Sequence, residues 1–120
     1  MDKVYVISRY RADDCKQQEF NKEVARYFCR KVVEDGDVPV APHLFYTQFL
    51  DDDYPEERQC GLELGIWELQ NANKFLLVVI DGIISEGMRN EIAEVSRLGI
   101  QGRIVTMTQK EITEVMKVVR

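Results

Sequence analysis

This chain of 120 residues holds one histidine, three cysteines, three prolines and one tryptophan. With His43 alone, no histidine dyad with a cysteine or serine can be completed by pattern. Cys15, Cys29 and Cys60 are an odd set without C-x-x-C spacing, which argues against a disulfide framework and against a zinc site. Basic charge is also short. The net charge is −5, so a binder of nucleic-acid polymers, which needs a basic face, is not expected. Long apolar runs are missing, since Phe75 to Ile80 falls far short of the roughly 20 residues that span a bilayer. Met1 to Ile7 reads as a strand and not as a signal peptide. A reduced, cytoplasmic protein without membrane attachment is the expectation. Neither G-x-x-x-x-G-K-[ST] nor a G-x-G-x-x-G after the first strand occurs, so nucleotide triphosphatase and dinucleotide-binding readings have little support.

At 45% hydrophobic, the length fits one domain over residues 1–120, with neither internal repeats nor low-complexity segments. Val4 to Ser8 is a β-branched and aromatic run suited to a buried first strand. Asp13 or Asp14 can cap a helix carrying Phe20, Val24, Tyr27, Phe28 and Val32 at helical spacing, and Gly36 supplies its left-handed stop. Val38 to Ala41 reads as a second strand, placed at an edge by Pro39. His43 to Tyr54 reads as irregular. Pro55 suits the first position of a second helix, with Leu62, Ile66 and Leu69 as its apolar stripe.

Lys74 to Ile80 is nearly all apolar, as a central parallel strand covered on both faces must be. A third helix follows from Glu86 to Leu98, burying Met88, Ile92, Val95 and Leu98, and Gly99 ends it. Arg103 to Met107 forms a fourth strand. Glu111 to Val119 closes the chain as a helix with Ile112, Val115, Met116 and Val119 inward. The alternation predicts an α/β fold of three layers, a doubly wound parallel sheet of flavodoxin-like or Rossmann-like type with strand order 2-1-3-4.

In such a sheet ligands bind beyond the carboxyl ends of the strands, where the winding direction changes. The chain delivers Ser8, Arg9, Tyr10 and Arg11 there, then His43, then the segment from Asp81 to Glu91. That last segment is the most informative in the chain. A strand ending in Asp81-Gly82 enters a helix through Ser85 and Gly87, whose backbone N–H groups suit an anion. Glu91 projects from the same helix toward the crevice. Its carboxylate is a nucleophile, a base or a solvated surface group. Ser85 is a helix cap or a ligand contact, Tyr5 packs in the core or reaches the site, and Arg9 and Arg11 pair with Asp13 and Asp14 or with a phosphate. Asp81 ends a strand or touches the ligand, and His43 bonds to backbone or to the ligand. Asp51-Asp52-Asp53 lacks the spacing and glycine of a calcium loop and reads as a solvated acidic turn. Phe45, Tyr46 and Phe49 cover a ligand base or a subunit contact.

Taken together, Val4-Tyr5-Val6-Ile7-Ser8, Val38-Pro39-Val40-Ala41-Pro42-His43 and Ser85-Glu86-Gly87-Met88-Arg89-Asn90-Glu91-Ile92 resemble the nucleoside 2-deoxyribosyltransferase-like superfamily. The branch most alike consists of small bacterial and phage domains with an S-E-G-M-x-x-E-I signature. The resemblance implies cleavage or transfer at the N-glycosidic bond of a nucleoside or nucleotide. It places Glu91 as nucleophile, Tyr5 as its orienting partner and Asp81 beside them. Ser8, Arg9, Tyr10, Arg11, His43, Ser85, Gly87 and Met88 would contact the ligand. No metal or redox cofactor is implied, and a homodimer or higher homo-oligomer is. Two departures stand out. Gly65 takes the place of an Asp that contacts the ligand, and Ala93 replaces a Gly two residues after the catalytic Glu. A non-catalytic nucleotide sensor, or a phage accessory protein using only its surface, are the rival readings.

Overall fold

Four strands form one parallel sheet in a computed structural model that describes residues 1–118. They are β1 (Lys3–Ile7), β2 (Val38–Val40), β3 (Lys74–Ile80) and β4 (Gln101–Met107), in the order β2-β1-β3-β4. β1 pairs with both β2 and β3, matching Tyr5 to Val40 on one side and to Phe75 on the other. The described residues form five α-helices, α1 (Cys15–Glu34), α2 (Pro42–Phe45), α3 (Pro55–Gln70), α4 (Glu86–Leu98) and α5 (Gln109–Lys117). This is the doubly wound α/β architecture with strand order 2-1-3-4.

The period-two alternation of β1 divides the core. Val4 and Val6 face α1 and α5, packing with Val24, Phe28, Val32, Leu76, Val78 and Ile112. Tyr5 and Ile7 face α3 and α4, packing with Val40, Leu69, Leu77, Val79, Met88 and Val95. β3 contributes to both clusters, which is why its sequence is apolar throughout.

Local chemistry sets the helix ends. Asp14 caps α1, its carboxylate accepting from the Lys16 N–H at 2.8 Å. α1 stops in a Schellman turn: the Asp37 N–H donates to Val32 O, the Gly36 N–H to Val33 O, and Gly36 takes φ 88°. Ser85 caps α4, Gly99 ends it at φ 70°, and Thr108 with Glu111 forms a capping box on α5.

Some local expectations are corrected. Residues 43–54 are not wholly irregular, since α2 and a 3₁₀ turn (Tyr46–Gln48) occupy part of the stretch. β4 starts earlier, at Gln101, and α5 at Gln109. The stripe expected on α3 is incomplete: Leu69 is buried but Leu62 is 47% exposed, and the other buried position is Gly65. Val119 lies outside the described residues. No helix among the described residues is long and apolar enough to cross a membrane.

Candidate functional site

β1 runs out between β2 and β3, the point at which the winding reverses, and its last residues open into two hollows on opposite sides of the sheet. The larger, about 400 Å³, lies on the α3–α4 side. Its size is that of a small-molecule site. The smaller, about 80 Å³, lies on the α1–α5 side.

At the base of the larger crevice is Glu91. Its position on α4, three residues after Met88 and four before Val95, puts it on the helix face turned to the sheet. Only 8% of Glu91 is exposed, and the Tyr5 hydroxyl, itself on the inward face of β1, donates to its Oε2. A carboxyl group so placed does not ionise as it would in water. Burial pushes the Glu91 pKa up to about 7, against the downward pull of the Tyr5 hydrogen bond. Burial first, and then the Glu91 and Glu68 carboxylates, hold the Tyr5 phenol above its usual range. Glu91 therefore exchanges its proton near neutrality. That suits a general acid, a base or a nucleophile, with one oxygen fixed by Tyr5.

The remaining walls come from three segments. Ser8, Tyr10 and Arg11 follow β1; Ser85, Gly87, Met88 and Asn90 belong to the turn and first helical turns of α4; Pro42 and His43 start α2. Ser85 acts as the α4 cap, accepting from the Met88 N–H at 3.3 Å, and also lines the crevice. Met88 is 1% exposed and forms part of the floor. Tyr10 and His43 stack with ring centroids 4.8 Å apart and planes 13° from parallel. Tyr10 is held from behind by the buried Asn21 amide, which donates to its carbonyl at 3.1 Å. Burial lowers the His43 pKa, opposed by the charge of Asp52, so the imidazole is neutral at pH 7.

Two expected members are not brought to this crevice. Asp81 and Arg9 line the smaller hollow across the sheet, with Gln17, Asn21 and Gln109. Asp81 adopts φ 55°, and this left-handed turn sends its carboxylate to the Gln109 N–H at 3.0 Å, so it ties the end of β3 to the start of α5. Ser8 lines both hollows. Other residues of the crevice had no strong signal in the sequence. Arg58 and Gly61 come from α3 and Asp52 from the acidic turn before it, whereas Gly65, also on α3, is the position that the resemblance had singled out. Arg58 lies one and two turns before the two glycines, and that i, i+3, i+7 spacing is the pattern that marks one helix face. Among the described residues, no group of three His, Cys, Asp or Glu side chains is placed to hold a metal ion.

A family model described as "Domain of unknown function (DUF7768)" matches residues 2–105. No curated protein sequence matches the chain. Among solved structures, a 2-deoxyribosyltransferase from the psychrotolerant bacterium Bacillus psychrosaccharolyticus, described as a biocatalyst for the synthesis of antiviral and antitumoral nucleosides, aligns with TM-score 0.66 and 17% identity. The alignment covers 87% of this chain and 72% of that one. At that identity the similarity is one of fold.

Proposed function

The chain belongs to the DUF7768 family, and from that premise we propose that its larger crevice binds a nucleoside or nucleotide and that Glu91 cleaves or transfers the glycosyl group. The observation that carries this reading is a buried carboxylate gripped on one oxygen by Tyr5, at the base of a hollow of about 400 Å³. The likeness in fold to a 2-deoxyribosyltransferase supports it.

In the proposed reaction the ionised Glu91 attacks the anomeric carbon through Oε1. The carbon–nitrogen bond breaks, and its electron pair leaves with the base, which takes up a proton from water in the open crevice. A glycosyl ester forms on Glu91, and water or a second base then attacks the same carbon and frees the carboxylate. Tyr5 holds Glu91 in line, and Ser85 with the first N–H groups of α4 faces the sugar or its phosphate. Arg11 and Arg58, both exposed at the rim, favour a phosphorylated ligand, a role in which Arg58 takes the place expected of Arg9. Copies of the chain assemble around the crevice mouth, where Phe45, Phe49, Tyr54 and Leu62 are exposed.

A second reading, ligand binding without turnover, is favoured by Gly65. It offers no acid to protonate the leaving base at a position that adjoins the Tyr5 hydroxyl. One assay separates the two. Wild type and Glu91→Gln are incubated with deoxynucleosides and their 5′-monophosphates, and released base is measured by chromatography. Glycosyl chemistry predicts release by wild type and a loss of at least about a hundredfold in Glu91→Gln. Stoichiometric recovery of bound, intact nucleotide from wild type supports the sensor, and neither release nor binding overturns both.

A further inference from the structure

The buried stripe of α1 is Asn21, Val24, Ala25, Phe28 and Val32, spaced i, i+3, i+4, i+7 and i+11. All but the first are apolar. Asn21 opens the stripe at 4% exposed, where an aliphatic side chain would continue it without desolvating an amide. That amide is satisfied on both sides. Its Nδ2 donates to the Tyr10 carbonyl at 3.1 Å, and its Oδ1 accepts from Gln17 Nε2 at 2.9 Å.

What the amide holds is the segment between β1 and α1. Among the described residues, no other hydrogen bond engages residues 9–13. Asn21 lines the smaller hollow on the α1–α5 side, whereas the Tyr10 ring stacks on His43 in the wall of the larger crevice. His43 is tied from its own side, its carbonyl accepting from Thr47 Oγ1 at 2.6 Å. Each ring of the stack thus has one anchor behind it, and the anchor behind Tyr10 comes from across the sheet.

Resting in its ligand arm on the functional reading above, we propose that Asn21 is a positioning residue. Acting through Tyr10, it holds the Tyr10–His43 wall in the shape that a nucleotide meets.

The test reads His43, the one histidine of the chain, whose imidazole protons are identified by NMR without ambiguity. Stacked on Tyr10, these protons resonate upfield of a free histidine. In Asn21→Leu they are expected to move downfield. Their titration midpoint should rise toward the ordinary histidine value, as the burial that lowers it relaxes. Gln17→Met, at a half-buried position, leaves the Asn21 amide in place without the bond that orients it. It is expected to move both readings the same way by less, and it decides alone if Asn21→Leu does not fold. Calorimetric titration with 2′-deoxyadenosine 5′-monophosphate should show binding about tenfold weaker in Asn21→Leu. Added to Tyr10→Ala, the same substitution should cost nothing further, because the ring it positions is gone. A merely structural Asn21 would lower Tm, leave His43 at its wild-type readings and add its loss to that of Tyr10→Ala. Unmoved His43 signals in the folded variants, or additive losses of affinity, overturn the inference. A wild type that binds no nucleotide, with the His43 signals moved as expected, overturns the functional reading and leaves the anchoring of the stack standing.

Discussion

Glu91 lowers stability in its ionised form, and the sign of the effect follows from its pKa. Burial raises that value from 4.5 to about 7 in the folded chain, so between these values the folded state holds a proton that the unfolded state has released. Stability from this group is therefore greatest below pH 4.5, falls as pH rises toward 7, and stays low above it. The full difference is about 3 kcal/mol, since each tenfold change in proton affinity is worth roughly 1.4 kcal/mol. Glu91→Gln keeps an acceptor for the Tyr5 hydroxyl and removes the ionisation. Urea denaturation at pH 5 and pH 8 should show the variant more stable than wild type at pH 8 and close to it at pH 5. Equal stability at both would mean that Glu91 is not buried as described. At this same scale the sequence was only partly informative. Strand phase and helix spacing are local properties and do not join a residue of β1 to one of α4, so a Tyr5 partner for Glu91 was implied by the family resemblance alone, and the hydrogen bond between them is a property of the fold. The placements of Asp81 and Arg9 were not legible, because adjacency in a loop says nothing about which side of the sheet a side chain reaches. One left-handed residue decides that for Asp81.

At the scale of elements, legibility tracked how strongly a segment is committed to one environment. β3 and α4 fall on the bounds their patterns implied, because a doubly covered strand and a helix with Ser85 and Gly99 at its ends have few alternatives. α3 has its ends marked by Pro55 and Asn71, yet its faces were obscure, since it turns one side to the crevice instead of to packed side chains. α5 is anchored chiefly by one buried side chain, with Val115 and Met116 packed beside it. Ile112 is fully buried among Val4, Val6 and Val78, and the Thr108–Glu111 box sets the helix start. Ile112→Ala should cost about 2–5 kcal/mol, the usual range for emptying a core position. Because α5 lies across the sheet from Glu91, the variant should bind nucleotide with unchanged affinity at temperatures where it stays folded. Denaturant melts with and without ligand check both halves of this expectation.

The whole molecule adds one property that no single element carries. Phe45, Phe49 and Tyr54 are 56%, 60% and 54% exposed, and Phe45, Tyr46 and Phe49 meet edge-on with centroids 5.1 to 5.9 Å apart. Aromatic side chains clustered in this way on an open surface are unusual for a monomer. They adjoin the crevice through Tyr46 and Leu62, which line it, so a second copy seated here would wall the ligand off from water. Opposing this contact is a net charge of −5 on each copy, with Asp51, Asp52 and Asp53 beside the cluster. An assembly driven by apolar burial against like-charge repulsion tightens as salt screens the charges. Sedimentation at micromolar concentration should therefore find a dimer or larger species, and a smaller dissociation constant at about 0.5 M than at about 0.05 M salt, where the screening length is several times longer. Phe45→Asp with Phe49→Asp should give a monomer with an intact circular dichroism spectrum and weaker nucleotide binding. A wild type that is monomeric at both salt concentrations would leave these rings to the ligand alone, and the double variant would then lose affinity without any change in mass.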